Sequence, residues 1–159
     1  MEKQNSMSVA GIGPRLVLTI LPIILLASLF MFKDPEFMTL CFLNKFYALI
    51  IGLFWLAIGL IFFLASVITF SKNFKKGKLI KHGPYGICKN PIYASFIVFF
   101  VPALAILLRS GVVFIIDLAL YINFKILIRE EYVNLLRIFG DEYKQYSRKV
   151  NEIIPIPKF

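Results

Sequence analysis

Three groups of residues have the types and spacing to do chemistry. The first is the run Gly-Lys-Leu-Ile-Lys-His-Gly-Pro-Tyr-Gly-Ile-Cys-Lys-Asn-Pro-Ile-Tyr from Gly77 to Tyr93, which is cationic, aromatic and rich in turn formers. Gly83-Pro84 and Asn90-Pro91 punctuate it, and Pro91 suits the first turn of a following helix. Such a run can hold an anion on lysines and backbone donors; a solvated loop gripping lipid phosphates, with Tyr85 and Tyr93 as interfacial anchors, fits the same composition. The second group is Arg129-Glu130-Glu131. Adjacent acids on a helix point about 100° apart, so one can face a bundle interior while the other faces water. The third group is Asp117, Tyr121 and Lys125, at i, i+4 and i+8, within an arc of about 80°. Ionisable groups inside an apolar run normally face protein or a water-filled cavity; alternatively Lys125 snorkels to the interface and Asp117 is solvated near the other end.

Other chemistries lack their parts. His82 is the only histidine and Cys88 has no neighbouring cysteine, so no zinc spacing exists and no metal is expected. There is no phosphate loop between a strand and a helix, no nucleophile elbow and no paired-carboxylate glycosidase setting, which leaves hydrolase chemistry unsupported.

The elements that must position these residues lie in a lipid-like composition. Of 159 residues 59% are hydrophobic, 17 are Phe and only 17% are charged, with a mean hydropathy of +0.80; a soluble chain this short has too little interior to hide them. The net charge of +9 then reads as a topology signal and attraction to anionic lipids rather than nucleic-acid binding. Four apolar runs, 16–32, 46–70, 92–108 and 112–128, each approach the length of about 20 residues that crosses a bilayer. The second can tilt or project, and the last two, separated by Arg109, Ser110 and Gly111, make a tight hairpin. Lys3 and Arg15, then Lys72, Lys75, Lys76, Lys78, Lys81 and Lys89, then Arg129, Arg137, Lys144, Arg148, Lys149 and Lys158 fall on one side, against Lys33, Lys45 and Arg109 on the other. The positive-inside rule places both termini and the 71–91 segment in the cytoplasm.

Pro22 and Pro102 lie inside apolar runs and are expected to bend their helices. Tyr132, Leu136, Phe139, Tyr143, Tyr146 and Val150 recur at helical spacing, an amphipathic tail expected on the membrane face, with Gly140 a break point. Cys41 and Cys88 are expected to stay reduced. The N-terminal run shows no cleavage site and reads as a retained membrane helix. The expectation is one domain, 1–159, an all-α membrane protein of four transmembrane helices.

Taken together, these residues resemble the isoprenylcysteine carboxyl methyltransferase family and its phospholipid N-methyltransferase relatives. That family carries a Gly-Pro-Tyr-like turn, Arg-His-Pro-x-Tyr, a membrane hairpin, Glu-Glu, and a Phe-Gly-x-x-Tyr-x-x-Tyr tail. The counterparts are Gly83-Pro84-Tyr85, Lys89-Asn90-Pro91-Ile92-Tyr93, the hairpin, Glu130-Glu131, and Phe139-Gly140-Asp141-Glu142-Tyr143-Lys144-Gln145-Tyr146. The match runs over roughly Gly77 to Val150. It departs where Lys89-Asn90 replaces Arg-His, so a role needing a titrating imidazole is not available, although the Asn90 amide can still hydrogen-bond.

The resemblance implies an integral membrane enzyme using S-adenosylmethionine, with the cytoplasmic loop and C-terminal amphipathic helices closing a cofactor pocket over segments 77–93 and 125–150. It implies cofactor contacts at Gly77, Lys78, Leu79, Ile80, Tyr85, Asn90, Pro91, Ile92, Tyr93, Glu130 and Glu131, with catalytic roles at Glu131 and Arg129, the family's basic residue upstream of the acids falling on either Lys125 or Arg129. Alignment on Leu135-Leu136 favours Glu131 as the leading acid, and Glu130 is one residue away. The acceptor is then lipidic or lipid-anchored, a prenylcysteine-like carboxylate, a phospholipid amine or a small thiol, reached along Asp117, Tyr121, Lys125 and Arg129. The host membrane is expected to be bacterial or archaeal. Rival expectations are an NADPH-dependent reductase of the sterol-reductase-like group and a non-enzymatic transporter or scaffold.

Overall fold

In a computed structural model, which describes residues 11–34, 36–74, 77–156 and 158, the chain is helical, with only isolated bridges outside the helices. Lys3, Lys75 and Lys76, used in the charge argument, lie outside the described residues. Helix α1 spans Gly13–Lys33 and α2 spans Lys45–Phe74. A single 3₁₀ turn, Gly83–Gly86, precedes α3, Pro91–Leu107, and α4 runs from Gly111 to Lys149. Three helices are long and apolar enough to cross a membrane: Gly13–Lys33, Lys45–Asn73 and the one that starts at Gly111. The fourth expected span is shorter, about 26 Å at 1.5 Å per residue.

Without a hydrophobic drive inside lipid, helices associate through close packing and interhelical hydrogen bonds. Buried Gly52, Gly59 and Ser66 recur every seven residues on α2 and let α3 approach. A Cβ on Gly52 would lie 2.5 Å from Leu107, and one on Gly59 2.5 Å from Phe99. Inside α3, residues Ser95–Phe100 form a π-helical turn just before Pro102. Pro102 has no N–H for the carbonyl of Val98, one α-helical step back, and the Trp55 indole takes that carbonyl instead at 2.8 Å. The proline expected as a kink is therefore the point where α2 is stitched to α3.

Helix α4 packs against α1 and α3. Its core face holds the fully buried Phe124 and Ile128, which meet Ile12 and Leu16 of the α1 end, Cys88, and Ala94 and Ile97 of α3. At the hairpin, the Leu40 N–H donates to the Arg109 carbonyl at 2.7 Å and the Gly111 N–H to that of Met38 at 2.8 Å, so the 34–44 connection is clamped to the α3–α4 turn.

The tail does not begin as a separate helix. α4 continues unbroken past the apolar run to Gly140, where φ +52 and ψ −126 interrupt it. That conformation is essentially reserved for glycine. Beyond the break, Tyr143 and Tyr146 are buried against Leu79, the Tyr146 hydroxyl donates to the Tyr85 carbonyl at 2.7 Å, and Lys81 pairs with Glu142 at 2.7 Å. The final strap then runs beside the 88–90 segment, with Lys89 N–H donating to Asn151 O at 2.8 Å and Asn90 N–H to Glu152 O at 3.1 Å.

Candidate active site

The two adjacent acids separate as helical geometry requires. Glu130 points outward and pairs with Arg15 at 2.7 Å, both side chains being about two-thirds exposed; a pair so exposed contributes little to stability. Glu131 turns inward beneath the start of α1, where the Ile12 N–H points at its carboxylate. Its Oε2 is buried and has no hydrogen-bond partner among the described residues. A buried acceptor without a donor is costly and rare in a folded protein.

Tyrosines surround this carboxylate. The charge of Glu131 is felt by Tyr85, Tyr93 and Tyr143, the Tyr93 ring lies 5.4 Å from that of Phe124, and Tyr132, Tyr143 and Tyr146 follow one another at 6.3 Å. Burial first, and then the Glu131 charge, push the Tyr85 phenol well above its usual range, so it stays neutral. Neutral rings around a carboxylate offer π faces to a cation. The N-terminal end of α1 closes the group. The N–H groups of Ile12 and Gly13 also reach the Tyr93 hydroxyl, and Gly11, at φ +51, sits so close that a Cβ there would stand 2.9 Å from that hydroxyl and 3.1 Å from Glu131 Oε2.

Asn90 and Pro91 are buried, with Ile92 and Tyr93 half-buried. The Asn90 amide donates to the Tyr132 hydroxyl at 2.6 Å, Tyr132 donates to Glu152 Oε1 at 3.0 Å, and Lys125 Nζ pairs with Glu152 Oε2 at 2.6 Å. Lys89 stands 4.7 Å over the Tyr132 ring. Burial lowers the Lys89 pKa, and the nearby Glu152 charge works against that shift. Cys88 between these groups is fully buried, and burial pushes its thiol up to about 12.

Not every expected residue joins this cluster. Gly77 and Lys78 are exposed, and nothing lies within 4 Å of a Cβ at Gly77; Leu79 packs on the tail tyrosines and Ile80 is half-buried. Arg129 is exposed. Asp117 shares the core face of α4 with Phe124 and Glu131, two turns apart in each case, which places it about 21 Å along the helix from Glu131. Its Oδ1 is buried and lacks a partner among the described residues. Tyr121 packs against the core. Glu152, and the cover made by Gly11 to Gly13, are site features that the pattern of the sequence does not announce. The only advance signal for Glu152 is an acid standing in a basic, proline-rich ending.

Residues 44–142, from the start of α2 to just past the Gly140 break, match the phospholipid methyltransferase family model. The chain belongs to the phospholipid methyltransferase family. It is also similar to two rice proteins, each described as a probable protein-S-isoprenylcysteine O-methyltransferase, from Oryza sativa subsp. indica and subsp. japonica. Each is 28% identical over 114 residues, covering 66% of this chain and 60% of the relative. The chain therefore spans well under two thirds of the length of these relatives. No solved structure matches it. The family segment contains Asn90, Tyr132 and Glu131, while Gly11 and Glu152, which close the group from either end of the chain, lie outside it.

Proposed function

We propose that this chain is an integral membrane methyltransferase that uses S-adenosylmethionine and acts on a lipidic or lipid-anchored acceptor. One observation carries the reading: the buried Glu131 Oε2, without a hydrogen-bond partner among the described residues and ringed by Tyr85, Tyr93 and Tyr143, inside the family-matching segment. The donor set fits the group. A carboxylate oxygen without a donor suits a ribose hydroxyl or amino group, neutral phenol faces suit a sulfonium, and Lys89 with Asn90 offers a cation and an amide to its polar end.

Bound there, S-adenosylmethionine supplies an electrophilic methyl for in-line displacement, without a covalent enzyme intermediate. The work left to the protein is orientation and exclusion of water, which together can lower a barrier by on the order of 7–11 kcal/mol. Glu131 would fix the cofactor, the tyrosines its charged centre, and Tyr146 and Val150 the wall that keeps water out. Arg129 is an exposed cation at the cytoplasmic end of the apolar run, on the side of the helix away from Glu131, and is suited to a carboxylate or phosphate on an acceptor arriving from the bilayer rather than to the buried group. A carboxylate acceptor needs no base. An ammonium acceptor must lose a proton first, and Glu131 is the nearest inward-facing acid for that step. We further infer that α3 completes a four-span bundle with both termini cytoplasmic, because the lysine-rich 77–89 segment and the basic tail share one end.

The test is calorimetric titration of the detergent-purified protein with S-adenosylmethionine and S-adenosylhomocysteine, with NADPH in parallel. Saturable binding of the sulfonium pair, weakened at least about tenfold by Glu131→Gln through loss of a charge-assisted hydrogen bond, is the expected result. Glu130→Gln, on the exposed pair, should change it less than about twofold. Binding of NADPH alone would move the reading to a reductase. Silence from all three would leave a transporter or scaffold.

A further inference from the structure

The family match ends at residue 142, so the closing strap and its acid Glu152 owe nothing to it. Glu152 nonetheless joins three side chains. Its Oε2 takes Lys125, its Oε1 takes the Tyr132 hydroxyl, and its main-chain carbonyl accepts the Asn90 amide at 3.2 Å. The order of these bonds has a consequence for Asn90. Tyr132 has a single hydroxyl proton, and Glu152, which can only accept when ionised, claims it. The Tyr132 oxygen can then only accept, so Asn90 must present its NH2, as it does at 2.6 Å. Both protons of that NH2 are used, one on Tyr132 and one on the Glu152 carbonyl. The opposite amide rotamer would set two acceptors, Asn90 Oδ1 and the Glu152 carbonyl, against each other.

We infer that Glu152 is a positioning residue: acting through Tyr132, it locks the Asn90 amide so that Oδ1 is left as a free acceptor for the ligand of the proposed site. Asn90 Oδ1 accepts no hydrogen bond among the described residues, and Asn90 itself is only 7% exposed, so its orientation is set by these neighbours rather than by water. Lys125 plays the supporting part. By pairing with Oε2 it leaves Oε1 for Tyr132. The inference rests on the methyltransferase reading above.

The experiment is calorimetry of the full chain in detergent with S-adenosylhomocysteine, comparing the unmodified protein with Glu152→Leu, Glu152→Gln, Tyr132→Phe, Asn90→Asp and the double variant Tyr132→Phe/Glu152→Leu. Glu152→Leu should weaken binding about tenfold, the loss of one well-placed hydrogen bond in the site. Glu152→Gln, whose amide oxygen still accepts the Tyr132 proton, should rescue to within about threefold. The double variant should bind no more weakly than Tyr132→Phe alone, because the two residues act in series. A merely structural strap would instead lower the number of binding-competent molecules and leave the dissociation constant alone, and that result overturns the inference. So does multiplication of the two losses. If Glu152→Leu does not fold, Asn90→Asp decides: it keeps the strap residue but cannot donate to Tyr132, and unchanged affinity refutes the positioning role. Absence of binding by the unmodified protein refutes the methyltransferase reading itself, an outcome distinct from binding that Glu152 does not influence.

Discussion

Replacing Gly11 by Ala tests whether the start of α1 is seated on the candidate site. Gly11 has φ +51, a left-handed conformation that costs a residue with a side chain about 1–2 kcal/mol. The added Cβ would also stand 2.9 Å from the Tyr93 hydroxyl and 3.1 Å from Glu131 Oε2. Both atoms belong to side chains held from other directions, Tyr93 by the Phe124 ring and Glu131 by its place on α4. Relief by an outward move of the α1 end takes the Ile12 N–H away from the carboxylate and loosens Ile12 and Leu16 from the core, and relief by turning the carboxylate disturbs the site itself. Adding the backbone cost to the crowding gives a loss of about 2–3 kcal/mol. Gly13 is the internal control, since a Cβ there meets nothing within 4 Å and the position is already helical; the gain in helix propensity is offset by Pro14, which crowds a helical residue with a Cβ just before it, so alanine at 13 should stay within about 1 kcal/mol of the unmodified chain. Unfolding in mixed micelles titrated with sodium dodecyl sulfate measures both variants against the unmodified chain. Equal stability of the Gly11→Ala and Gly13→Ala proteins would show that α1 does not rest on Glu131 and Tyr93, and the closed site described here would be wrong.

Two further outcomes follow from the packing. Trp55→Phe removes the indole donor to the carbonyl that Pro102 cannot serve, and should destabilise the bundle by about 1–3 kcal/mol; adding Pro102→Ala, which restores an N–H one α-helical step from Val98, should recover part of that loss in the same micelle titration, and no recovery would disprove the stitching role. Cys41 is exposed whereas Cys88 is fully buried with its thiol pushed up to about 12, so at pH 8 a maleimide should label Cys41 rapidly and Cys88 only after denaturation; comparable labelling rates for single-cysteine variants would contradict the sealed 88–90 segment.

The relation between sequence and structure differs from element to element. The apolar runs 16–32 and 46–70 lie within α1 and α2, and the break expected at Gly140 is present, because length, apolarity and a glycine are local properties. The tail differs: its tyrosines at helical spacing suit a membrane face, and in the fold Tyr143 and Tyr146 turn to Leu79 and Tyr85. Both faces are apolar and aromatic, and periodicity alone cannot say which partner a stripe will meet. The same limit applies to Pro102, where the missing donor is visible in the sequence but the indole that answers it lies 43 residues from Val98, the residue whose carbonyl it takes.

What the sequence by itself determined is therefore the class of molecule and the segment that matters: a chain too apolar to be soluble, with cationic, aromatic and acidic residues in the order of a methyltransferase family, which the family match over 44–142 supports. It also narrowed the acids to a neighbouring pair of which one can face inward while the other faces water. The tertiary structure turns Glu131, the acid the alignment favours, inward and pairs Glu130 with Arg15, 115 residues away. It alone brought Gly11 over the carboxylate, and Glu152 onto Lys125, Tyr132 and Asn90 across separations of 27, 20 and 62 residues. The physical reason is common to all of these. Burial and helical phase are written locally along the chain, whereas the partner of a buried polar atom is chosen by which distant segments the packed helices leave beside it.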